Sequence, residues 1–127
     1  MEQRQKKKIA YEFGDFAEEM AAQEYIRRGY VVKEKKWRLG KIEIDLITQK
    51  ENTVIIIEVK ARSESEEEAL LAVTLDKRKR MIKAADAYLS KYHGTFNYRF
   101  DIVAVVGNKD NFKMEIFEDA FLATDVF

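Results

Sequence analysis

Cysteine and proline are both missing from this 127-residue sequence, and histidine occurs once. Without cysteine there is no disulfide, no thiolate zinc site and no cysteine nucleophile, which suits a reducing compartment. The lone histidine, His93, rules out a histidine-cluster metal site. It falls in Tyr92-His93-Gly94, at the expected end of a helix, and reads as a surface residue rather than a catalytic base. No run of apolar residues approaches membrane-spanning length, and the basic opening segment Met1 to Lys8 lacks the apolar stretch of a signal peptide. A cytoplasmic protein that does not engage membranes is therefore expected.

An excess of either charge is also missing: 23 Lys and Arg balance 23 Asp and Glu. That argues against a uniformly basic nucleic-acid binder, yet the charges are sorted along the chain. Residues 27 to 41 carry Arg27, Arg28, Lys33, Lys35, Lys36, Arg38 and Lys41 against Glu34, and residues 77 to 83 add Lys77, Arg78, Lys79, Arg80 and Lys83. Acid collects in Glu64 to Glu68 and after Asp110. Such a bipolar chain can present a basic groove to phosphates while its acidic parts keep it soluble, although solvated basic faces with no ligand explain the charge equally well. The length suits one domain, read here as residues 9–127 behind a basic arm of residues 1–8.

Apolar side chains at Ile9, Phe13, Phe16, Ala17, Met20 and Ala21 follow a helical period that Gly29 ends. Tyr30 to Trp37, Lys41 to Gln49 and Thr53 to Ala61 read as three strands in a meander, with Leu39-Gly40 and Lys50 to Asn52 as turns. Helical spacing resumes from Glu68 to Tyr92 through Leu71, Leu75, Ile82, Ala85 and Leu89. Tyr98 to Val106 and Lys113 to Glu118 are further strands. The order α-β-β-β-α-β-β implies an α/β layer structure whose sheet is mixed, because the second long helix permits a crossover.

Acids placed inside apolar strands are the chemical feature. Ile42-Glu43-Ile44-Asp45-Leu46-Ile47 precedes Val54-Ile55-Ile56-Ile57-Glu58-Val59-Lys60. Successive strand side chains alternate faces, so Glu43 and Asp45 share one face of the first run, and Glu58 and Lys60 share one face of the second. A turn centred between Glu51 and Asn52 sets Asp45 against Glu58 and Glu43 against Lys60. Opposed carboxylates about 5 Å apart destabilise a sheet unless a cation lies between them or one is protonated, and a divalent metal fits that gap. A turn of odd length would instead put Asp45 on the other face from Glu58, and a plainer alternative is a Glu43–Lys60 ion pair at a strand end with Asp45 and Glu58 in water. The aliphatic run 54 to 59 weighs against that arrangement, because it marks a strand buried on both faces.

Asp45, twelve intervening residues and Glu58-Val59-Lys60 resemble the PD-(D/E)XK nuclease superfamily, whose restriction-endonuclease-like fold has the order α-β-β-β-α-β. A closer resemblance, over roughly residues 12 to 121, is to the YraN-like family of small bacterial proteins. It rests on Glu18-Glu19 with Ala22 and Tyr25 to Tyr30, on Trp37-Arg38 with Glu43-Ile44-Asp45-Leu46-Ile47, on Glu58-Val59-Lys60-Ala61-Arg62, on Ala72-Val73 with Lys77 and Arg80, and on Arg99-Phe100-Asp101-Ile102-Val103. Ile44 replaces the superfamily's proline, Ile42 a usual glycine, and Ala17 or Glu18 stands where Gly-Glu is usual. The resemblance implies a mixed central β-sheet flanked by helices and a metal-dependent endonuclease-like activity. Asp45, Glu58 and Lys60 would be catalytic. Mg2+ or Mn2+ would be held by Asp45, Glu58, the Val59 carbonyl and an acid of the first helix, Glu19 being favoured over Glu18 by its spacing to Ala22. Glu43 would support Lys60, and Arg38, Arg62, Lys77 and Arg80 would contact nucleic acid, with DNA ahead of RNA and branched or structured DNA as a candidate substrate. A homodimer would suit junction cutting, but no coiled-coil seam is visible. A non-catalytic nucleic-acid-binding module and a protein-interaction protein on the same fold are the alternatives. Trp37 reads as core rather than a base-stacking platform, and Asp101 as a partner for Arg99 or a substrate contact.

Overall fold

The computed structural model describes residues 2–91 and 96–125. Tyr92 to Gly94, and with them the surface position expected for His93, lie outside the described residues. Helix α1 spans Gln3–Arg27, strands β1 Val31–Leu39, β2 Ile42–Lys50 and β3 Thr53–Arg62 follow, then helices α2 Glu66–Leu71 and α3 Leu75–Leu89, and strands β4 Asn97–Gly107 and β5 Phe112–Phe117. A short 3-10 turn at Ala123–Asp125 closes the described chain. No described helix is long and apolar enough to cross a membrane.

The sheet is mixed, in the order β1-β2-β3-β4-β5. β3 and β4 run parallel while the other neighbours are antiparallel. A parallel pair needs a crossover, and α2 with α3 supplies it. β3 is central and alternates Val54 and Ile56 toward α3 with Ile55, Ile57 and Val59 toward α1. Both faces are thus covered, which is why this strand is an almost unbroken aliphatic run. The result is three layers: α1, the sheet, and α2 with α3.

Two expectations shift. Helical spacing over 68 to 92 suggests one helix, whereas the structure contains two. Ser65 caps α2 by accepting from the Glu68 N–H at 3.1 Å, and Thr74 caps α3 by accepting from the Lys77 N–H at 3.2 Å. A hydroxyl that competes for the backbone starts a new helix there. At the other end of the chain α1 begins at Gln3 rather than near Ile9, so the basic arm is a continuous part of the first helix and Ile9 is half exposed.

A buried polar network fastens α1 to β4. Asp101 is fully buried and accepts from Tyr25 Oη at 2.6 Å, from Arg99 Nε at 2.8 Å and Nη2 at 2.7 Å, and from the Asp119 N–H at 3.0 Å. Arg99 also donates to Tyr30 Oη at 3.1 Å. Four donors, two of them from the Arg99 guanidinium, satisfy the carboxylate, which a sheet interior would otherwise reject. Asp101→Ala strands the Arg99 charge and should cost about 3–5 kcal/mol. Tyr25→Phe removes one charge-assisted bond and should cost about 1–3 kcal/mol, both read from urea midpoints. Equal, near-zero shifts would show that the network does not hold the helix.

Candidate functional site

The β2–β3 hairpin closes through Glu51-Asn52, and its ladder runs from Lys50 opposite Thr53 to Leu46 opposite Ile57. This register is the one expected from the sequence, and one step further would set Asp45 opposite Glu58. There the ladder stops. Asp45 turns its carboxylate into the gap, where Oδ2 accepts from the Val59 N–H at 2.8 Å in place of a strand carbonyl. The alternation of β2 slips at the same point, since Ile44 and Ile47 pack toward α3 while Leu46 packs toward α1. Opposite Asp45 across the β1 pairing lies Lys36, whose backbone is left-handed at φ 49°. The two strands therefore part into a fork around Asp45. N–H and C=O of one strand residue point to the same side, so the Val59 carbonyl is directed into this fork as well.

The fork gathers charge from both faces. Glu58, 3% exposed, lies within 3.3 Å of Lys77 Nζ and 3.5 Å of Lys60 Nζ through its Oε2. Lys77 also donates to the Glu43 carbonyl oxygen at 2.8 Å, so this α3 side chain ties β2 to β3 across the opening. From the other face α1 supplies Glu18. Carboxylate oxygens of Glu18, Glu43 and Asp45 lie within 4.8 Å of one another. Lys36 Nζ sits 3.0 Å from Glu18 and 3.2 Å from Asp15, and Asp15, Glu18, Lys36 and Asp45 border a small cavity of about 150 Å³.

Burial pushes the Asp45 carboxyl up to about 8, and hydrogen bonding and repulsion from Glu58 push in the same direction, against the Val59 N–H and Lys77. Burial also raises Glu18, offset by its bond to Lys36. Asp45 with the Glu58 carboxylate beside it, a third acid and a backbone carbonyl directed into the fork are oxygen donors suited to a hard divalent cation, which would replace the Asp45 proton. The donor set fits Mg2+ or Mn2+.

The sequence-predicted residues are distributed unevenly about this fork. Asp45, Glu58, Val59, Lys60 and Lys77 converge on it. Glu43 stands at its edge, but its carboxylate takes Arg38 at 2.6 Å rather than Lys60. Glu19 also borders the small cavity but pairs with Lys35 at 2.9 Å and is half exposed, so the α1 acid whose carboxylate approaches Asp45 is Glu18. The register that identifies it was present in the helix: Glu18 precedes Ala21, Ala22 and Tyr25, all buried, by three, four and seven residues. Arg62 donates to the Ala61 carbonyl at 2.8 Å and reaches Glu68 at 3.9 Å, and Arg80 is exposed on α3. Trp37 packs edge-to-face on Tyr88 at 5.3 Å, in keeping with its expected core role. Lys36 was not anticipated, because nothing in Lys35-Lys36 marks one lysine for a left-handed turn.

The raised Asp45 carboxyl has a stability consequence. Its folded value of about 8 exceeds the ordinary 3.8, so the folded state binds more protons between these limits. The contribution is complete below pH ~4 and is lost as pH rises through ~8. Asp45→Asn keeps an acceptor for Val59 and removes the conflict. In metal-free buffer it should raise Tm by about 5 °C at pH 9, with a clearly smaller gain at pH 5, by calorimetry. A gain independent of pH would exclude the raised Asp45 carboxyl.

Residues 17–105, which include Glu18, Lys36, Asp45, Glu58, Lys60 and Lys77, match the family model described as uncharacterised protein family UPF0102. Among curated relatives, a UPF0102 protein of Phocaeicola vulgatus is 40% identical, covering 87% of this chain and 92% of its own. One from Bacteroides thetaiotaomicron is 38% identical over the same shares. Another, from Chloroherpeton thalassium, is 39% identical over 91% of this chain and 92% of its own. The chain therefore belongs to the UPF0102 family, the YraN-like family that its ordered motifs resemble.

Proposed function

We propose that this protein binds nucleic acid, DNA ahead of RNA, and hydrolyses phosphodiester bonds with Mg2+ or Mn2+ in the cytoplasm. The observation that carries the reading is the pair Asp45 and Glu58, forced together in an opened strand pair with Lys60 beside Glu58. The resemblance of Asp45 and Glu58-Val59-Lys60 to the PD-(D/E)XK pattern supports the same chemistry.

Asp45, Glu58 and the Val59 carbonyl would hold the metal, with Glu18 at the mouth. A bound divalent ion supplies charge stabilisation on the phosphate and an activated water at neutral pH. The protein's own part is positional. Lys60, held 3.5 Å from Glu58, would orient the attacking water or stabilise charge on the phosphate oxygens as the water oxygen bonds to phosphorus and the ester oxygen leaves. Lys77 fixes Glu58 and the Glu43 backbone, so the spacing of the two strands at the fork is set before substrate arrives. Arg80 is exposed and would contact phosphates; Arg38 is exposed but paired with Glu43 and would reach a phosphate only by leaving it, while Arg62 borders the exit of β3.

The test is cleavage of labelled single-stranded, duplex, flap and four-way-junction DNA and of RNA with magnesium, manganese or chelator. Wild type should cut one of these only with metal. Asp45→Ala and Lys60→Ala should each lose on the order of 100-fold or more. Binding that falls with salt but no cutting on any substrate would replace the nuclease with a non-catalytic binding module.

A further inference from the structure

The first turns of α1 break the rules that favour a free helix. Arg4, Lys6, Lys7 and Lys8 crowd its N-terminal end, no acid lies in the first turn, and Glu2 at the cap makes no side-chain capping bond. Positive charge there opposes the helix dipole, and Arg4 repels Lys7 and Lys8 at three- and four-residue spacing. No ion pair joins Arg4, Lys7 or Lys8 to the described residues. A segment that violates local electrostatics while keeping its helix is where a function is to be sought.

The violation has direction. Lys6, Ile9, Ala10 and Phe13 face the body across a cleft of about 700 Å³ that Arg62 and Lys109 also border. The opposite stripe is Arg4, Lys8, Tyr11, Asp15 and Glu18, at spacings of four, three, four and three, with Lys7 beside it. That is one continuous face of a helix. Tyr11 is 72% exposed on it. The stripe thus runs in line from three cations, past an exposed aromatic ring, to the two acids at the mouth of the Asp45 cavity. At 1.5 Å per residue, Lys8 and Arg4 stand about 15–21 Å from Glu18 along the axis, or about 4–6 nucleotides of one strand.

We propose that this stripe is a phosphate track: Arg4, Lys7 and Lys8, with Tyr11, bind the nucleic-acid backbone several nucleotides away from the bond at the Asp45 fork. The inference rests on the nuclease reading and extends it by fixing which side of the scissile bond must carry extra nucleic acid. The occupant is a polyanionic strand rather than a membrane, because Tyr11 is the one side chain with an apolar body on the stripe, and Ile9, half exposed, and Phe13, buried, lie on the other side, along the cleft.

The triple variant Arg4→Gln, Lys7→Gln, Lys8→Gln removes the repulsion and should fold at least as well as wild type, which circular dichroism checks. With chelator present, wild-type affinity for a 20-base-pair duplex should fall steeply with salt, and the variant's slope of log K against log salt should be shallower by about 2–3. A 6-base-pair duplex should show a much smaller difference. With metal, kcat on the long duplex should be unchanged and KM raised roughly tenfold or more. An unchanged slope and KM in a variant of an enzyme that still cuts would overturn the track alone. Loss of binding to anionic phospholipid vesicles with no loss on DNA would overturn it in favour of a membrane. Absence of both nucleic-acid binding and cleavage in wild type would bring down the functional reading itself.

Discussion

Two carboxylates that share space in an opened strand pair set the terms for everything around them. Asp45 and Glu58 sit where β2 and β3 would otherwise continue their ladder, and Asp45 accepts a strand N–H that a carbonyl should have taken. Losing ladder bonds and burying acid both cost stability, so the fork survives only because other interactions over-determine it. Below it the β2–β3 hairpin is in tight register, and above it Lys77 bolts β2 to Glu58. β3 itself cannot move, since α1 and α3 pack its two faces.

In a chain with no net charge, the local distribution separates cations that are paired from cations that are not. Nearly every cation close to the fork is spent on an acid: Lys36 on Glu18 and Asp15, Arg38 on Glu43, Lys60 and Lys77 on Glu58, Lys35 on Glu19. These pairs orient side chains more than they attract a polyanion from solution. Attraction at a distance must come from cations without such partners, and the N-terminal turns of α1 hold a cluster of them.

Much of this was legible in the chain because it follows from periods. The aliphatic run of β3 announces a doubly buried strand, the two-residue turn sets the hairpin register, and the spacing of Asp45 to Glu58-Val59-Lys60 places the acids near each other. What escaped was whatever depends on a single backbone angle or a choice between adjacent residues. Glu18 and Glu19 differ by one helical step, and spacing to Ala22 alone favours Glu19, whereas the joint spacing to Ala21, Ala22 and Tyr25 favours Glu18, whose carboxylate lies by Asp45. The break between α2 and α3 turns on the Thr74 hydroxyl, a cap that apolar spacing does not register. The left-handed Lys36 has no local signature. Glu43 chose Arg38 over Lys60 because the β1–β2 register makes Arg38 its direct neighbour, which only the fold reveals.

Helix α1 connects these parts mechanically. Its C-terminal half is fixed by Tyr25 on Asp101, with Ala17, Ala21 and Ala22 packed flat against the sheet; small side chains there let the helix lie close. Two turns before Tyr25, Glu18 reaches the fork, so the Asp101 network determines how deeply that acid sits. Glu12 then ties the helix to Lys109 of the β4–β5 turn at 3.7 Å, and beyond it the basic turns project without further support. A rigid rod clamped at one end transmits position to the other. The acid at the mouth and the cations beyond it are therefore held at a fixed separation by the same backbone, a ruler whose zero is the pair of carboxylates and whose origin is a buried tyrosine.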